Sequence, residues 1–314
     1  MKFEMIKILE LFGGIGACSK ALERLGIEYE IADYVEIDKY AVKSFNAMHD
    51  TNFEPQDICK WDKDIEVDLI MHGSPCQDFS LAGKQAGGDE GSGTRSSLMY
   101  ETIRIVEKLK PKYVIWENVK NLLSKKHRHN FDAYLETMEQ LGYTNYYQVL
   151  NAKDYGIPQN RERVFTISIR KDINKVFTFP QKQELKLKLK DMLEDEVDEK
   201  YYLVDNYLEF TNFYTIPRGS DGELINGSYN RVWKKEEYCG SINLTKIQEI
   251  GEKDYINNLR IRKLTSLEVW RLMGFDDEDF EKASKVNSNS QLYKQAGNSI
   301  CVPVLIAIFK ELIK

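Results

Sequence analysis

Cysteines and long apolar runs are both scarce in this chain of 314 residues. Its five cysteines are an odd number with no C-x-x-C pair, which argues against a disulfide framework or a zinc site. We therefore expect reduced thiols and no bound metal. No run approaches the roughly 20 apolar residues of a membrane span, and no signal-peptide core follows the N-terminus. The sequence thus predicts a cytoplasmic protein that contacts no membrane.

A surplus of basic charge is missing as well, since the formal net charge at pH 7 is -6. Net charge governs the field far from a protein, whereas a nucleic-acid groove needs only local basic residues to replace the counterions of phosphates. Two groups of basic residues meet that requirement, one at 125–129 and one at 161–171. Because charge runs are often solvated loops, they indicate a nucleic-acid partner only together with other features.

Strand and helix patterns alternate along the first half of the chain. Parallel neighbouring strands need a crossover helix between them, so this alternation predicts an α/β fold with a doubly wound, mostly parallel sheet. The predicted strands are 5–11, 31–37, 67–71, 113–116, 146–150 and 164–169, and the predicted helices are 17–25, 39–48, 98–109, 131–141, 264–273 and 302–313.

The composition and the pattern of the sequence change at Pro180. Residues 181–200 are highly charged, and short aromatic segments separated by turn signals follow them. A second, smaller and irregular domain is the natural interpretation. We therefore predict a main domain formed by 1–178 and 293–314, and a second domain with its hinge at 179–292.

A glycine turn, Phe12-Gly13-Gly14-Ile15-Gly16, lies between the first strand and the first helix. Glu36 ends the second strand about 20 residues later, where a carboxylate can accept hydrogen bonds from ribose hydroxyls, and Asp57-Ile58 can read an adenine edge. The third glycine of the dinucleotide pattern and a P-loop lysine are both missing, so the pattern favours S-adenosylmethionine over NAD. The same turn could also simply pack a helix on a strand.

A thiol and a carboxylate are predicted at one edge of the sheet. Pro75-Cys76-Gln77 lies just past the third strand, and Glu117-Asn118-Val119 follows the fourth. An isolated cysteine usually behaves as a small hydrophobe, but the carboxyl edge of an open α/β sheet is where ligands bind. A thiol and a carboxylate that face one cavity can act as a nucleophile and a proton donor.

Three further segments carry residues or flexibility that a ligand site could use. Residues 159–163 carry guanidinium groups that can bind a base carbonyl or a phosphate. Residues 295–300 form a polar turn before the last helix. Residues 83–94 are rich in glycine, which predicts a mobile loop directly after the Cys76 turn.

Taken in order, these blocks resemble the motifs of the DNA (cytosine-5) methyltransferase family, over about 1–172 and 260–314. The resemblance implies a Rossmann-like S-adenosylmethionine-dependent fold, with 179–292 as the target recognition domain. It implies double-stranded DNA as the partner, with the target cytosine flipped out of the helix. A monomer, encoded by a bacterium or a phage, is expected, and a cognate restriction endonuclease is a further partner that such a family allows.

The resemblance also assigns roles to individual residues. Cys76 is the thiolate that adds to cytosine C6, Glu117 donates a proton to N3, Arg163 holds O2, and Asn118 braces the Pro-Cys turn. The implied cofactor residues are Phe12, Gly14, Ile15, Gly16, Glu36, Ile37, Asp57, Ile58, Pro75, Leu98, Asn298 and Ser299. The implied DNA contacts are Gln77, Ser80, Lys84, Arg95, Arg161 and Arg231.

Other functions remain as alternatives. A methyltransferase of the same fold could act on transfer RNA, but the Cys-Phe-Thr tripeptide expected of that branch is missing from 179–260. A catalytically silent DNA-binding protein would have no need of Cys76, Glu117 and Arg163 together. A nicotinamide dehydrogenase would need the third glycine that this chain lacks, and it would have no use for the Cys76 turn.

Overall fold

A computed structural model of the protein describes residues 5–74, 98–201, 239–240 and 262–313. A six-stranded sheet lies at its centre, in the strand order β2-β1-β3-β4-β7-β5. Its strands are β1 Ile6–Leu11, β2 Tyr29–Val35, β3 Leu69–His72, β4 Tyr113–Val119, β5 Tyr143–Asn151 and β7 Glu162–Arg170. Two short strands, β6 Gln159–Asn160 and β8 Cys239–Gly240, pair with each other outside this sheet. The helices are α1 Ala17–Leu25, α2 Lys39–His49, α3 Met99–Leu109, α4 Arg128–Gln140, α5 Ser266–Arg271, α6 Asp277–Ser284, α7 Asn289–Asn298 and α8 Val302–Leu312.

Most of the sheet is parallel. Strand β1 pairs in parallel with β2 and β3, and β3 pairs in parallel with β4. Strand β7 is inserted between β4 and β5 and runs antiparallel to both, so β4 and β5 share one direction. The predicted doubly wound, mostly parallel α/β sheet is therefore confirmed.

Helices cover both faces of the sheet because side chains alternate along each strand. Ile8 and Leu9 are adjacent in β1 and belong to different core clusters. The cluster of Ile8 includes the apolar sides of α1 and α8, and the cluster of Leu9 includes those of α3 and α4. The carboxyl ends of β1 to β4 therefore emerge between two packed layers, at one edge of the sheet.

Strand β4 is longer than the sequence predicted. The predicted strand ended at Trp116, but β7 pairs Glu117 with Phe165 and Val119 with Arg163. Glu117 and Asn118 therefore lie within the strand and not after it. The predicted polar turn at 295–300 is also corrected, because residues 295–298 form the last turn of α7.

The described parts of 179–292 pack on the main core. Leu189, Met192 and Trp270 belong to the same buried cluster as Ile8. The backbone amide of Lys263 donates to the carbonyl of Tyr201 at 2.9 Å. Tyr201 and Lys263, which flank 202–261, therefore lie next to each other.

One described segment, Asn289–Leu312, is long and apolar enough by composition to cross a membrane, but 61% of its most apolar window is buried. It consists of α7 and α8, separated by a turn at 299–301. Leu305 and Ile308 of α8 are fully buried against the sheet. These are the properties of core helices.

Candidate active site

The glycine turn after β1 is shaped by left-handed backbone. Phe12 has a φ of 54°, which bulky residues rarely adopt, and Gly14 and Gly16 have φ values of 57° and 77°. A Cβ atom on Gly16 would lie only 2.5 Å from His49 Nε2 and 2.7 Å from Phe45 Cε2. The turn is therefore packed tightly against α2 at Gly16, while a Cβ atom on Gly14 would meet no other atom within 4 Å.

Glu36 lies directly beyond the end of β2, beside this turn. The backbone amide of Gly14 donates to its Oε2 at 3.1 Å, and the amide of Asp38 donates to its Oε1 at 2.8 Å. Burial raises the pKa of the Glu36 carboxyl, and the two amide hydrogen bonds partly oppose that rise. Since each carboxylate oxygen has a second lone pair, the group can still accept from two hydroxyls.

The residues near Glu36 in the sequence have side chains that could contact the adenine of an adenosine. Ile37 is 70% exposed, an unusual position for an isoleucine, and it adjoins Glu36. Ile58 is buried, and Asp57 Oδ1 accepts from the amide of Cys59 at 3.0 Å, which leaves its second oxygen for a donor. These hydrogen-bond acceptors and apolar side chains thus fit a ribose and an adenine. No diphosphate-binding lysine accompanies the turn in the sequence.

Four other predicted cofactor residues lie among the described residues. Leu98 precedes α3 and is half-buried, Asn298 is exposed at the end of α7, and Ser299 is buried just after it. Ile15 is buried between the sheet and α1.

A buried ion pair occupies the β4 side of the edge. Arg163 Nε lies 3.0 Å from Glu117 Oε1, and both side chains are mostly buried. A Cβ atom on Gly73 would lie 3.6 Å from Glu117 Oε2. Burial raises the pKa of Glu117, while the charges of Arg163 and Arg161 oppose this rise. The carboxyl is thus adjacent to the backbone that leads from β3 towards Cys76, with its proton-bearing form favoured by burial.

Asn118 contacts the residue that precedes Pro75 in the sequence. Its Nδ2 donates to Ser74 Oγ at 3.3 Å, and its Oδ1 accepts from the amide of Val119 at 2.8 Å. Trp116 Nε1 also donates to Ser74 Oγ, at 3.1 Å. The sequence did not single out Ser74 or Trp116, because their contact depends on the register between β3 and β4.

Several predicted site residues lie outside the described residues and stay predictions. They include the nucleophile, its neighbours and the glycine-rich segment 83–94. The site residues concerned are Pro75, Cys76, Gln77, Ser80, Lys84, Arg95 and Arg231.

Arg161 has an interior position that does not support the predicted DNA contact. It is 4% exposed, and its Nη2 donates to the carbonyl of Ser299 at 2.7 Å and to that of Gly297 at 3.2 Å. Its guanidinium therefore ties the start of β7 to the segment that carries Asn298 and Ser299. Periodicity cannot reveal this, because the two segments are more than 130 residues apart in the chain.

Within 5–74, 98–201, 239–240 and 262–313, no three His, Cys, Asp or Glu side chains are grouped so as to hold a metal ion.

Comparisons with known proteins identify the family. The family model for C-5 cytosine-specific DNA methylases matches residues 6–314. The type II methyltransferase M2.ScrFI of Lactococcus lactis subsp. cremoris is 37% identical to this chain, and the alignment covers 99% of each. The orphan methyltransferase M.SPRI of Bacillus phage SPR is 32% identical, over 98% of this chain and 97% of its own.

A solved structure agrees at the level of the fold. The crystal structure of the S. pombe Dnmt2 methyltransferase matches with a TM-score of 0.72 over 98% of each chain, at 20% identity. Identity this low supports a shared fold alone. The chain therefore belongs to the family of C-5 cytosine-specific DNA methylases, as its motifs predicted.

Proposed function

We propose that this chain is a site-specific DNA (cytosine-5) methyltransferase that uses S-adenosylmethionine and a covalent thiolate mechanism. The observation that carries the mechanism is the buried Glu117 carboxyl, which pairs with Arg163 and adjoins Gly73, three residues before Cys76 in the sequence. Thiolate addition to a cytosine ring requires a proton donor at such a place.

The cofactor would be held at the edge formed by the first two strands. Glu36 would accept hydrogen bonds from both ribose hydroxyls, Ile37 would cover the adenine face, and Asp57 would accept from the adenine amino group. When bound, S-adenosylmethionine supplies an electrophilic methyl group and leaves as S-adenosylhomocysteine. The chain's own contribution is to orient the donor and to make cytosine nucleophilic.

Addition of the thiolate activates the base. Cytosine C5 is a poor nucleophile until the Cys76 sulfur bonds to C6, which shifts the ring electron density towards N3. Glu117 transfers its proton to N3 and becomes a carboxylate, which the adjacent Arg163 stabilises. A second donor of the Arg163 guanidinium would hold the base oxygen O2. The ring then behaves as an enamine, and C5 can accept the methyl group.

Release reverses the addition. The proton on C5 passes to a base, the C6–S bond breaks, and the C5=C6 double bond forms again. The sulfur leaves as a thiolate, and the N3 proton returns to Glu117. Because C5 cannot be reached inside a duplex, the target nucleotide has to be flipped out of the stack first, at a cost of about a few kcal/mol.

Sequence specificity is proposed to lie in the predicted target recognition domain, 179–292, and within it in 202–261. Two observations support the narrower range: Lys263 and Tyr201 are hydrogen-bonded at 2.9 Å, and Leu189, Met192 and Trp270 belong to the main core. A graft of 202–261 into another member should transfer its methylation pattern. An active chimera that keeps the pattern of its host would contradict this assignment.

The cellular setting is part of the proposal. The relatives named above come from a bacterium and a phage, which supports a cytoplasmic enzyme. Action on duplex DNA as a monomer belongs to the same proposal. The type II designation of the Lactococcus relative supports a cognate restriction endonuclease as a partner. If so, DNA modified by this chain should resist that endonuclease.

Covalent trapping tests the mechanism. The chain is first expressed in a bacterial host that lacks cytosine methylation, and bisulfite sequencing maps its target. Duplex DNA with 5-fluorocytosine at that target should then form an adduct that survives denaturing electrophoresis, because fluorine cannot leave C5 as a cation. Cys76→Ser should form none, and Ser variants of Cys18, Cys59, Cys239 and Cys301 should trap normally. Methylation of transfer RNA with no trapping on DNA would favour the RNA alternative.

A further inference from the structure

A buried hydrogen-bonded trio lies at the point where the chain leaves β3. Ser74 Oγ accepts from Trp116 Nε1 at 3.1 Å and from Asn118 Nδ2 at 3.3 Å. All three side chains are almost completely buried. A serine hydroxyl has two acceptor lone pairs, so these two donors use its full acceptor capacity.

The strand register explains why these residues meet. His72 pairs with Trp116 in the parallel ladder, so the chain two residues further on brings Ser74 next to Asn118. Side chains two apart on a strand share a face, and Trp116 and Asn118 therefore converge on Ser74. Glu117 points to the other face, where it adjoins Gly73. The segment Gly73-Ser74 is thus held from both sides of the sheet.

The two donors are themselves fixed in place. The Trp116 ring lies 4.2 Å from the ring of Tyr134 and 5.8 Å from that of Phe131, centroid to centroid. The Asn118 amide is oriented by the hydrogen bond that its Oδ1 receives from Val119. Buried, fully paired polar groups of this kind specify one arrangement, because any displacement leaves a donor without a partner.

We propose that Ser74 and Trp116 form a positioning pair that sets where the nucleophile Cys76 meets the base, an inference that rests on the proposed function. Pro75 is the only residue between Ser74 and Cys76. A proline restricts its own φ and the backbone of the residue before it, so the link from Ser74 to Cys76 has few free torsions. A small displacement of Ser74 is therefore passed on to the thiol. Misplacement of a reacting group by about 1 Å can lower a rate about 100-fold.

The test compares Trp116→Phe, Ser74→Ala and the double variant in single-turnover methyl transfer and in the rate of trapping on 5-fluorocytosine DNA. Trp116→Phe keeps an aromatic ring but removes the donor, and Ser74→Ala removes the acceptor. Each should lower both rates about 10- to 100-fold, while the affinities for S-adenosylmethionine and DNA change less than about twofold. The double variant should be no slower than Ser74→Ala, because one shared contact has been removed.

Stability measurements separate positioning from folding. Ser74→Ala leaves both the buried indole N–H and Asn118 Nδ2 without their acceptor. The double variant removes one of these two unpaired donors and should recover part of the lost thermal stability. The rates should stay low in the double variant. If instead the rates recover together with stability, the effect is structural and the positioning role is overturned.

Trp270→Phe is the matched control. Trp270 is also fully buried, and its Nε1 donates to the carbonyl of Leu292 in α7 at 2.9 Å and not to Ser74. Its loss should lower thermal stability but leave the rates per folded molecule unchanged. Equal losses of rate in Trp270→Phe and Trp116→Phe would contradict the inference.

Different results would contradict the proposed function and the positioning role of Ser74 and Trp116. An adduct that persists in Cys76→Ser would overturn the proposed function itself. Cys76-dependent trapping at the wild-type rate in both Trp116→Phe and Ser74→Ala would overturn only the positioning role.

Discussion

Arg163 Nε lies 3.0 Å from Glu117 Oε1, across the antiparallel pair that β4 and β7 form within a mostly parallel sheet. The pairing of Val119 with Arg163 places the guanidinium two residues beyond Glu117 along β4. The acid is therefore buried, which raises its pKa, yet it has a cation ready to stabilise its ionised form. This combination suits a group that gives up a proton during the reaction and takes it back afterwards.

Glu117→Gln should slow methyl transfer by about 100-fold or more without abolishing trapping, because the amide can donate a hydrogen bond but not a proton. Only the protonated carboxyl is active, so the wild-type rate should fall as the pH rises through the raised pKa of Glu117. The variant should lack that falling limb. Single-turnover rates against pH measure both effects.

Glu162→Gln is the control for this experiment. Glu162 is a more exposed carboxylate at the start of β7 that pairs with Lys120 at 2.9 Å. Its replacement should leave the pH profile unchanged. An unaltered rate and profile in Glu117→Gln would remove Glu117 from the mechanism.

Glu36→Ala should weaken the binding of S-adenosylmethionine about 10- to 100-fold in the absence of DNA. Hydrogen bonds to a charged group contribute about 1.5 to 3 kcal/mol, and each 1.4 kcal/mol changes affinity about tenfold. Titration calorimetry measures the affinity directly. Glu30→Ala, at an exposed position of β2, the strand that leads to Glu36, is the matched control. Equal affinities in both variants would mean that Glu36 does not hold the ribose.

The sequence predicted those features of the fold that depend on local patterns. Alternating apolar segments located β1 to β4, and the residues after the strands, such as Glu36, were correctly expected at the carboxyl edge. The insertion of β7 between β4 and β5 depends on pairing between distant segments, which no local period encodes. That insertion extends β4 through Glu117 and Asn118, residues with little strand preference of their own.

Side-chain contacts between segments distant in the chain could not be predicted from the sequence either. Arg161 looked like a DNA contact because it belongs to a basic group, yet it donates to the carbonyl of Ser299 in the interior. Ser74 and Trp116 meet only through the β3–β4 register. A single sequence shows which residues have suitable chemistry, but long-range packing decides which of them face a ligand.

Glu10→Gln should change how stability depends on pH. Glu10 is buried in β1, accepts from the amide of Ser19 at 3.1 Å, and has its pKa raised by burial from 4.5 to about 7. The folded protein therefore binds a proton that the unfolded chain has released between these values, and the free energy of unfolding falls as the pH rises through that window. The loss amounts to about 3 kcal/mol at most.

Denaturant unfolding of wild type and Glu10→Gln at pH 5 and pH 8 measures this effect. The variant should lose less stability than wild type over that interval, because its amide does not ionise. Glu30→Gln, at an exposed position, should follow wild type. A parallel pH dependence in Glu10→Gln and wild type would show that Glu10 ionises normally.

Lys125→Gln combined with Lys126→Gln should reduce the salt dependence of DNA binding. Both lysines are exposed in the turn that follows β4, on the edge that holds Glu117. Each phosphate contact releases counterions and contributes about 0.9 to the slope of log K against log salt concentration, so the slope should fall by about 2 if both contact phosphates. Fluorescence anisotropy with target duplexes over a range of salt concentrations gives the slope. Lys110→Gln combined with Lys310→Gln removes two exposed charges at the opposite edge of the sheet, near the start of β4 and the end of α8, and should leave it unchanged. If both pairs of substitutions lower the slope equally, the overall charge governs DNA binding and the 125–126 turn is not a contact surface.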